Sequence, residues 1–211
     1  RRKPTHGSWA SPIIIEAAGK QQIVTIALPF VMSHALVDGN ELWRADLMEG
    51  EITPSPILAG GFVIIVSPAG NLIALRPDGA GDVTKTHVAW QLTRGAPLTP
   101  SPIAVGAEIY FVSDGGIASC VDAGTGATLW QQRLGGTYSA SPVQSAGYVY
   151  FPSEQGVTTV IRPGREYRRV ARNILDGSLL ASMAVSGEAI IMRSDSSLYR
   201  LRQSRNDPWR D

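Results

Sequence analysis

Charged residues recur at corresponding positions of this sequence, and they are its first candidates for chemistry. Three acids, Asp114, Glu154 and Asp195, each follow a short apolar run, while Arg94 and Arg133 each lie close to the end of one. Acids repeated around a ring of similar units could bind a cation or a basic peptide. Asp, Ser and Gly also occupy tight turns, because their side chains or free backbone suit turn geometry. The sequence favours this structural interpretation, and the five residues stand as a possible partner-binding face.

A second group of polar residues lies in an insertion, residues 79–87, that interrupts one of the repeating units. Its members Asp82, Thr84, Lys85 and His87 are expected on the opposite face from the three acids. They could contact a partner, but the tip of a long hairpin needs no partner to be polar. Both interpretations stay open.

The sequence offers no recognisable catalytic or metal-binding arrangement. Its three histidines, His6, His34 and His87, lie far apart without ligand spacing, which predicts no metal site. No G-x-S-x-G motif or phosphate-cradling loop occurs, and no Ser, His and acid can be grouped into a triad. The single Cys120 lies in an apolar strand, which indicates a small buried side chain rather than a nucleophile and excludes an internal disulfide.

The elements that position these residues are short strands in a repeating unit. Residues 101–134 contain four β-prone runs separated by Gly- and Asp-rich turns, at 101–105, 108–113, 117–122 and 128–134. The serine that opens this unit recurs at spacings of 44, 46, 40 and 41 residues, at Ser11, Ser55, Ser101, Ser141 and Ser182. A four-stranded repeat with a period in the forties is the signature of a β-propeller blade. The sequence therefore predicts an all-β protein in which residues 1–211 form one propeller segment of four-stranded antiparallel blades, at about 9–47, 53–94, 99–134, 139–175 and 180–201.

The third repeat carries a recognisable motif, Cys120-x-Asp-x-x-Thr-Gly-x-x-x-Trp130. It resembles the docking motif of quinoprotein-type propellers, the PQQ-like repeats. Trp43 and Trp90 stand at related positions in the first two repeats, while the fourth repeat has no Trp. An outer-strand Trp can lie against a Gly-containing turn of a neighbouring blade, so we interpret these tryptophans as residues that hold blades together.

Three further segments resemble a bacterial subfamily of these repeats: residues 81–90, 110–116 and 151–157. Members of that subfamily are mostly exported and distantly related to the propeller lipoprotein of the outer-membrane barrel-assembly machinery. The resemblance implies an extracytoplasmic location, periplasmic or secreted, and protein or peptide partners. It does not imply the cofactor, because a quinoprotein dehydrogenase would be expected to carry a vicinal cysteine pair and this sequence has one Cys.

Composition and charge agree with a globular binding protein. The net charge is +1 and the basic residues are scattered, which gives no reason to expect nucleic acid as a partner. The longest apolar run, residues 23–32, is too short to span a bilayer. One basic cluster, residues 162–172, falls on the outer strand of the fourth blade, where charge suits a solvent-exposed edge.

The sequence also predicts that the ring is incomplete. The fifth repeat stops before a fourth strand, and the polar lead-in of residues 1–8 is a poor strand former. We expect further blades upstream in the same full-length chain. The leading functional hypothesis is a non-catalytic scaffold or protein-binding module without a cofactor. The alternative is a degenerate quinone-dependent dehydrogenase whose cofactor site includes missing blades, and a sensory domain attached to another module is a third class.

Overall fold

The computed structural model describes residues 8–202, and every regular element in this range is a β-strand. The prediction of an all-β protein is confirmed for this part of the chain. It contains no helix of the length and apolarity needed to span a lipid bilayer. The N-terminal lead-in before Ser8 and the tail that carries Trp209 lie outside the described residues.

Twenty strands form five sheets, one for each predicted blade, and all pairs of these strands but one are antiparallel. Blade one contains β1 (Ile13–Ala17), β2 (Lys20–Ala27), β3 (Phe30–Ala35) and β4 (Glu41–Asp46). Blade two contains β5 (Ile57–Ala59), β6 (Phe62–Val66), β7 (Leu72–Leu75) and β9 (Val88–Leu92), with the short β8 (Gly81–Asp82) between its last two strands. Blade three contains β10 (Ile103–Val105), β11 (Glu108–Val112), β12 (Ile117–Asp122) and β13 (Thr128–Arg133). Blade four contains β14 (Val143–Ser145), β15 (Tyr148–Pro152), β16 (Val157–Arg162) and β17 (Arg168–Ile174), and blade five contains β18 (Ala184–Ser186), β19 (Ala189–Arg193) and β20 (Leu198–Arg202).

The serine that opens each blade bonds to the opening serine of a neighbouring blade. In blade three the first strand begins at Ile103, two residues after the predicted start at Ser101. The backbone N–H of Ser11 donates to Ser55 Oγ (2.9 Å), and that of Ser55 donates to Ser101 Oγ (3.0 Å). Ser101 donates in the same way to Ser141 Oγ (2.9 Å), and Ser141 to Ser182 Oγ (2.9 Å). The repeat marker seen in the sequence is thus a chain of four hydrogen bonds that joins the five blades.

Four buried clusters fill the four spaces between consecutive blades. Blade two shows the reason: β6 directs Val63 and Ile65 toward blade one and Ile64 and Val66 toward blade three, so all four side chains are buried. A strand covered on both faces is expected to be a continuous apolar run, as residues 62–66 are. Each blade is therefore stable only against its neighbours.

Within residues 8–202 no cluster joins blade five to blade one, so the blades form a partial ring, as predicted. The outer face of blade one carries Ile14, Ile23 and Met32 outside every cluster, and Ile14 is 64% exposed. Blade five has three strands in this range, and Leu198 on its last strand is 74% exposed.

A bulge recurs between the third and fourth strands of the first four blades and sets where their outer side chains point. The register shifts at Ser33/His34, Ala74/Leu75, Cys120/Val121 and Val160/Ile161. Opposite the first residue of each shift stand Trp43, Trp90, Trp130 and, in blade four, Ala171. Ala171 is therefore the counterpart of the missing tryptophan.

Candidate functional site

The three predicted acids all lie in the turn after the second strand of a blade, and each bonds to the link that enters that blade. Asp114 Oδ2 accepts the backbone N–H of Leu98 at 2.7 Å. Glu154 accepts the hydroxyls of Thr137, at 3.0 Å, and of Ser139. Asp195 Oδ1 accepts the backbone N–H of Ser178 at 3.2 Å.

These bonds give the acids a structural use that the sequence could not specify. The links cross the turns so closely that a side chain on Gly136 or Gly177 would collide with Gln155 or Asp195. Each carboxylate still exposes part of its surface, since Asp114 and Glu154 are half-buried and Asp195 is exposed.

Arg94 and Arg133 are exposed, and no ion pair among residues 8–202 joins either of them to an acid. Across the same residues, no three His, Cys, Asp or Glu side chains lie close enough together to hold a metal ion. The five predicted face residues are thus separate positions, four in loops and Arg133 at the end of β13, and their role in binding a partner stays a prediction.

The insertion in blade two packs against the blade before it. Its strand β8 pairs in parallel with the outer strand β4 of blade one, in the register Trp43 to Gly81 and Arg44 to Asp82. Val83 donates its backbone N–H to Arg44 O at 2.9 Å, and its side chain is buried in the cluster between blades one and two.

Two of the four predicted residues in this insertion take part in that packing. Thr84 Oγ1 accepts the backbone N–H of Asp46 (2.9 Å) and donates to Asp82 Oδ1 (2.7 Å). Hydrogen bonds from the Thr84 hydroxyl and, to a smaller extent, from the Thr84 backbone N–H lower the pKa of Asp82 below its ordinary value. Lys85 is exposed, and the half-buried His87 lies between Thr86 Oγ1 (2.8 Å) and Asp78 Oδ1 (3.7 Å). Lys85 and the outer side of His87 are the parts of this loop left for a partner.

Known proteins of the same architecture agree with this geometry. A family model described as "Outer membrane protein assembly factor BamB" matches residues 10–207. The chain belongs to this family. Among solved structures, the crystal structure of BamB from Moraxella catarrhalis is similar with a TM-score of 0.67 at 19% identity, over 87% of this chain and 54% of that chain. The likeness shows the propeller fold, and the chain spans about half the length of that BamB. No curated protein sequence matches the chain.

The docking motif of this BamB-family chain works as predicted in three interfaces. Trp90 of blade two donates its indole N–H to Ala123 O of blade three at 3.1 Å, and its ring lies where a side chain on Gly126 would stand. Trp130 of blade three donates in the same way to Gly164 O of blade four at 3.1 Å. Trp43 donates to Pro77 O of blade two at 3.1 Å.

Asp122 organises the turn that receives Trp90. Its Oδ1 accepts the backbone N–H groups of Gly124 and Thr125, both at 3.1 Å, and the Thr125 hydroxyl at 3.0 Å. Arg165 of blade four donates to Oδ2 at 3.0 Å, and this contact, followed by the bond from Thr125, lowers the pKa of Asp122. The turn is therefore fixed from both neighbouring blades.

Cys120 belongs to the same structural core. Its side chain is fully buried, and Sγ lies 3.8 Å from Gly164 O. Burial raises the pKa of the thiol to about 11, so the thiolate needed for nucleophilic chemistry is scarce at neutral pH. The prediction of a buried, structural cysteine is confirmed.

One surface feature was not recognised as a site from the sequence. Arg133 of β13 and Arg168, Arg169 and Arg172 of β17 line a single groove between the outer strands of blades three and four. The sequence assigned the blade-four arginines to a solvent-exposed edge. The period-two alternation of a regular strand would separate Arg169 from Arg172, and only the bulge brings them to one face.

Proposed function

We propose that this chain is a non-catalytic β-propeller scaffold that binds a protein partner outside the cytoplasm. The observation that carries the proposal is membership, over residues 10–207, of a family described as an outer membrane protein assembly factor. The rigid joining of the blades by serines and tryptophans supports it, because a fixed frame holds loops at constant separation and lowers the entropic cost of binding.

On this proposal, the partner contacts the face that carries Arg94, Asp114, Arg133, Glu154 and Asp195. The backbone of these loops is already fixed by the bonds from the links, while the outer parts of the side chains remain free. Lys85 and His87, on the insertion, form a second contact point. Blades upstream in the same full-length chain complete the ring, and residues 1–211 act as one propeller segment.

Site-specific photocrosslinking in bacterial cells tests the proposal. A photoreactive amino acid replaces Arg94 or Asp195 in the chain exported to the periplasm, and Leu58, an exposed residue of β5, serves as the control position. We expect a discrete crosslinked protein species from the two face positions and not from Leu58. Absence of any crosslinked protein from either face position contradicts a scaffold that uses this face.

A further inference from the structure

The groove between blades three and four is basic and contains no acid of its own. It has a volume of about 530 Å³ and is lined by Gln132, Arg133, Leu134, Thr159, Tyr167, Arg168, Arg169 and Arg172. The four arginines are all exposed, and within residues 8–202 none of them makes an ion pair. Unpaired arginines converging on one groove attract a negatively charged group, and the planar guanidinium suits carboxylates.

The bulge in blade four directs two of these arginines into the groove. Thr159 pairs with Arg172 and Ile161 with Arg169, so the extra residue Val170 lets two arginines three positions apart share one face. That face is the one Ile161 presents to blade three, where it is buried among blade-three side chains. Tyr167, which also lines the groove, stacks edge-on against Trp130 with ring centres 5.2 Å apart.

The same position between blades one and two is occupied by the protein's own chain. Trp43 and Trp130 are equivalent residues, each opposite the first residue of the bulge. Beside Trp43, the segment β8 runs parallel to the outer strand, buries Val83 and places Asp82 opposite Arg44. A short strand added in parallel to the outer strand is therefore what this fold accepts at such a position.

The outer strand β13 has the free backbone that such a segment needs. Among the strands of residues 8–202, it is the last of its sheet and pairs only with β12. In blade one, the backbone groups of Arg44 and Asp46 bond to Val83 and Thr84 of the insertion. Gln131 and Arg133 are the equivalent residues of β13, so their backbone groups also point away from β12. The Gln132 side chain donates to Arg133 O at 3.1 Å, a bond that a partner's backbone N–H could replace.

We propose that this groove binds an extended acidic segment of a partner protein, which pairs with β13 as an added strand. Its carboxylates bond to Arg169 and Arg172, and one apolar side chain contacts Leu134 and Tyr167, in the position that Val83 takes between blades one and two. Strand addition supplies the affinity through the backbone, and the arginines select acidic sequences. The inference rests on the proposed protein-binding function and names the surface and the chemistry of the partner.

Binding of a synthetic peptide to the sparsely tethered 211-residue chain tests the proposal by biolayer interferometry. The probe is acetyl-Ala-Gly-Asp-Val-Glu-Val-Asp-amide, which extends the sequence of the internal segment with acids. In one altered peptide, amides replace all the acids. In the other, an N-methyl group on the first valine removes one backbone donor. We expect the acidic peptide to bind and each alteration to weaken binding roughly tenfold or more, the effect of losing one good charge-assisted or buried hydrogen bond.

Variants of the chain locate the site. The double variant Arg169→Glu, Arg172→Glu should abolish binding of the acidic peptide, while Arg193→Glu, an exposed arginine of blade five, should leave it unchanged. Equal binding by both variants, or no binding of the acidic peptide at millimolar concentration, overturns the proposal. Binding of anionic phosphatidylglycerol vesicles that depends on Arg169 and Arg172, without peptide binding, also overturns it and assigns the groove to lipid. These results leave the photocrosslinking from Arg94 and Asp195 unaffected, so failure of the groove and failure of the scaffold are separate outcomes.

Discussion

Replacing Trp43 with Ala should destabilise the chain more than any other exchange of a docking tryptophan. Trp43 is fully buried, whereas Trp90 and Trp130 are half-buried. An indole buries roughly 200 Å², which at about 25 cal/mol per Å² corresponds to about 5 kcal/mol, the upper end of the ~3–5 kcal/mol typical of such truncations. Trp130→Ala removes less buried area but also two aromatic contacts, and we expect a cost of ~3–5 kcal/mol.

The exchange Trp43→Phe keeps an aromatic ring in the interface, leaves a smaller cavity than Ala and removes the indole N–H. The indole N–H donates to Gln22 Oε1 and Pro77 O, both at 3.1 Å. Both acceptors keep another donor, because Ser33 Oγ bonds to Gln22 Oε1 at 2.6 Å and Gln22 Nε2 bonds to Pro77 O at 3.3 Å. No buried acceptor is stranded, so the loss of the indole bonds should cost only about 1 kcal/mol.

Urea denaturation followed by circular dichroism measures these costs, and hydrogen exchange locates them. Trp43→Ala should speed exchange of backbone amides in β4 and β7 and leave those of β16 unchanged, because repeat units couple mainly to their neighbours. Trp9, which is 63% exposed, provides the matched control, and its exchange for Ala should stay within about 0.5 kcal/mol. Equal effects of Trp43→Ala and Trp9→Ala would refute the interpretation of the motif as a blade clamp.

Three further predictions follow from the buried thiol, the missing cofactor motif and the free blade faces. Because folding raises the pKa of Cys120 from 9.0 to about 11, the contribution of this thiol to stability is complete below pH 9.0 and is lost as the pH rises toward 11. Urea denaturation across this range should show a fall in the free energy of unfolding that Cys120→Ala lacks. Titration with pyrroloquinoline quinone and calcium should give no absorbance change, and the mixture should show no dye-linked alcohol oxidation. Stoichiometric uptake of the quinone would favour the dehydrogenase alternative. The 211-residue chain should self-associate in light scattering through the free faces of blades one and five, and adding upstream blades should make it monomeric; a well-behaved monomer from the short chain would contradict this expectation.

Local signals in the sequence were sufficient to predict the repeating architecture. Turn residues such as Asp114-Gly-Gly and the apolar run 62–66 indicated hairpins and covered strands, and the structure contains them there. The second and third strands of blade three differ by at most one residue from the predicted 108–113 and 117–122. Turn chemistry and the burial of both faces of a strand depend on residues that are close together in the chain. A single sequence is therefore enough to predict them.

Contacts between blades could be predicted only where the size or shape of a side chain limits which residues can pack against it. The tryptophans are large enough to require a partner with little side chain, so their docking on turns was predictable in kind. The serines were visible as markers, but a hydroxyl bonds equally well within its own blade, and the chain of bonds depends on residues 40 to 46 positions apart. The pairing of β8 with β4 and the capping of links by Asp114, Glu154 and Asp195 are non-local in the same way.

The groove shows how a repeat protein can gain a binding surface at a position that is structural elsewhere. In each of the first three blades, the outer strand carries a tryptophan that clamps the next blade, and between blades one and two the inserted strand β8 fills the remaining space. Blade four has Ala171 in place of the tryptophan, so its outer strand does not clamp the next blade and carries arginines instead. The second and third strands of blades two and three bury side chains on both faces and tolerate no such change, because a buried charge without a partner is strongly destabilising. New chemistry in this fold is therefore expected on outer strands and their turns, where the bulge sets the direction of each side chain without disturbing the core.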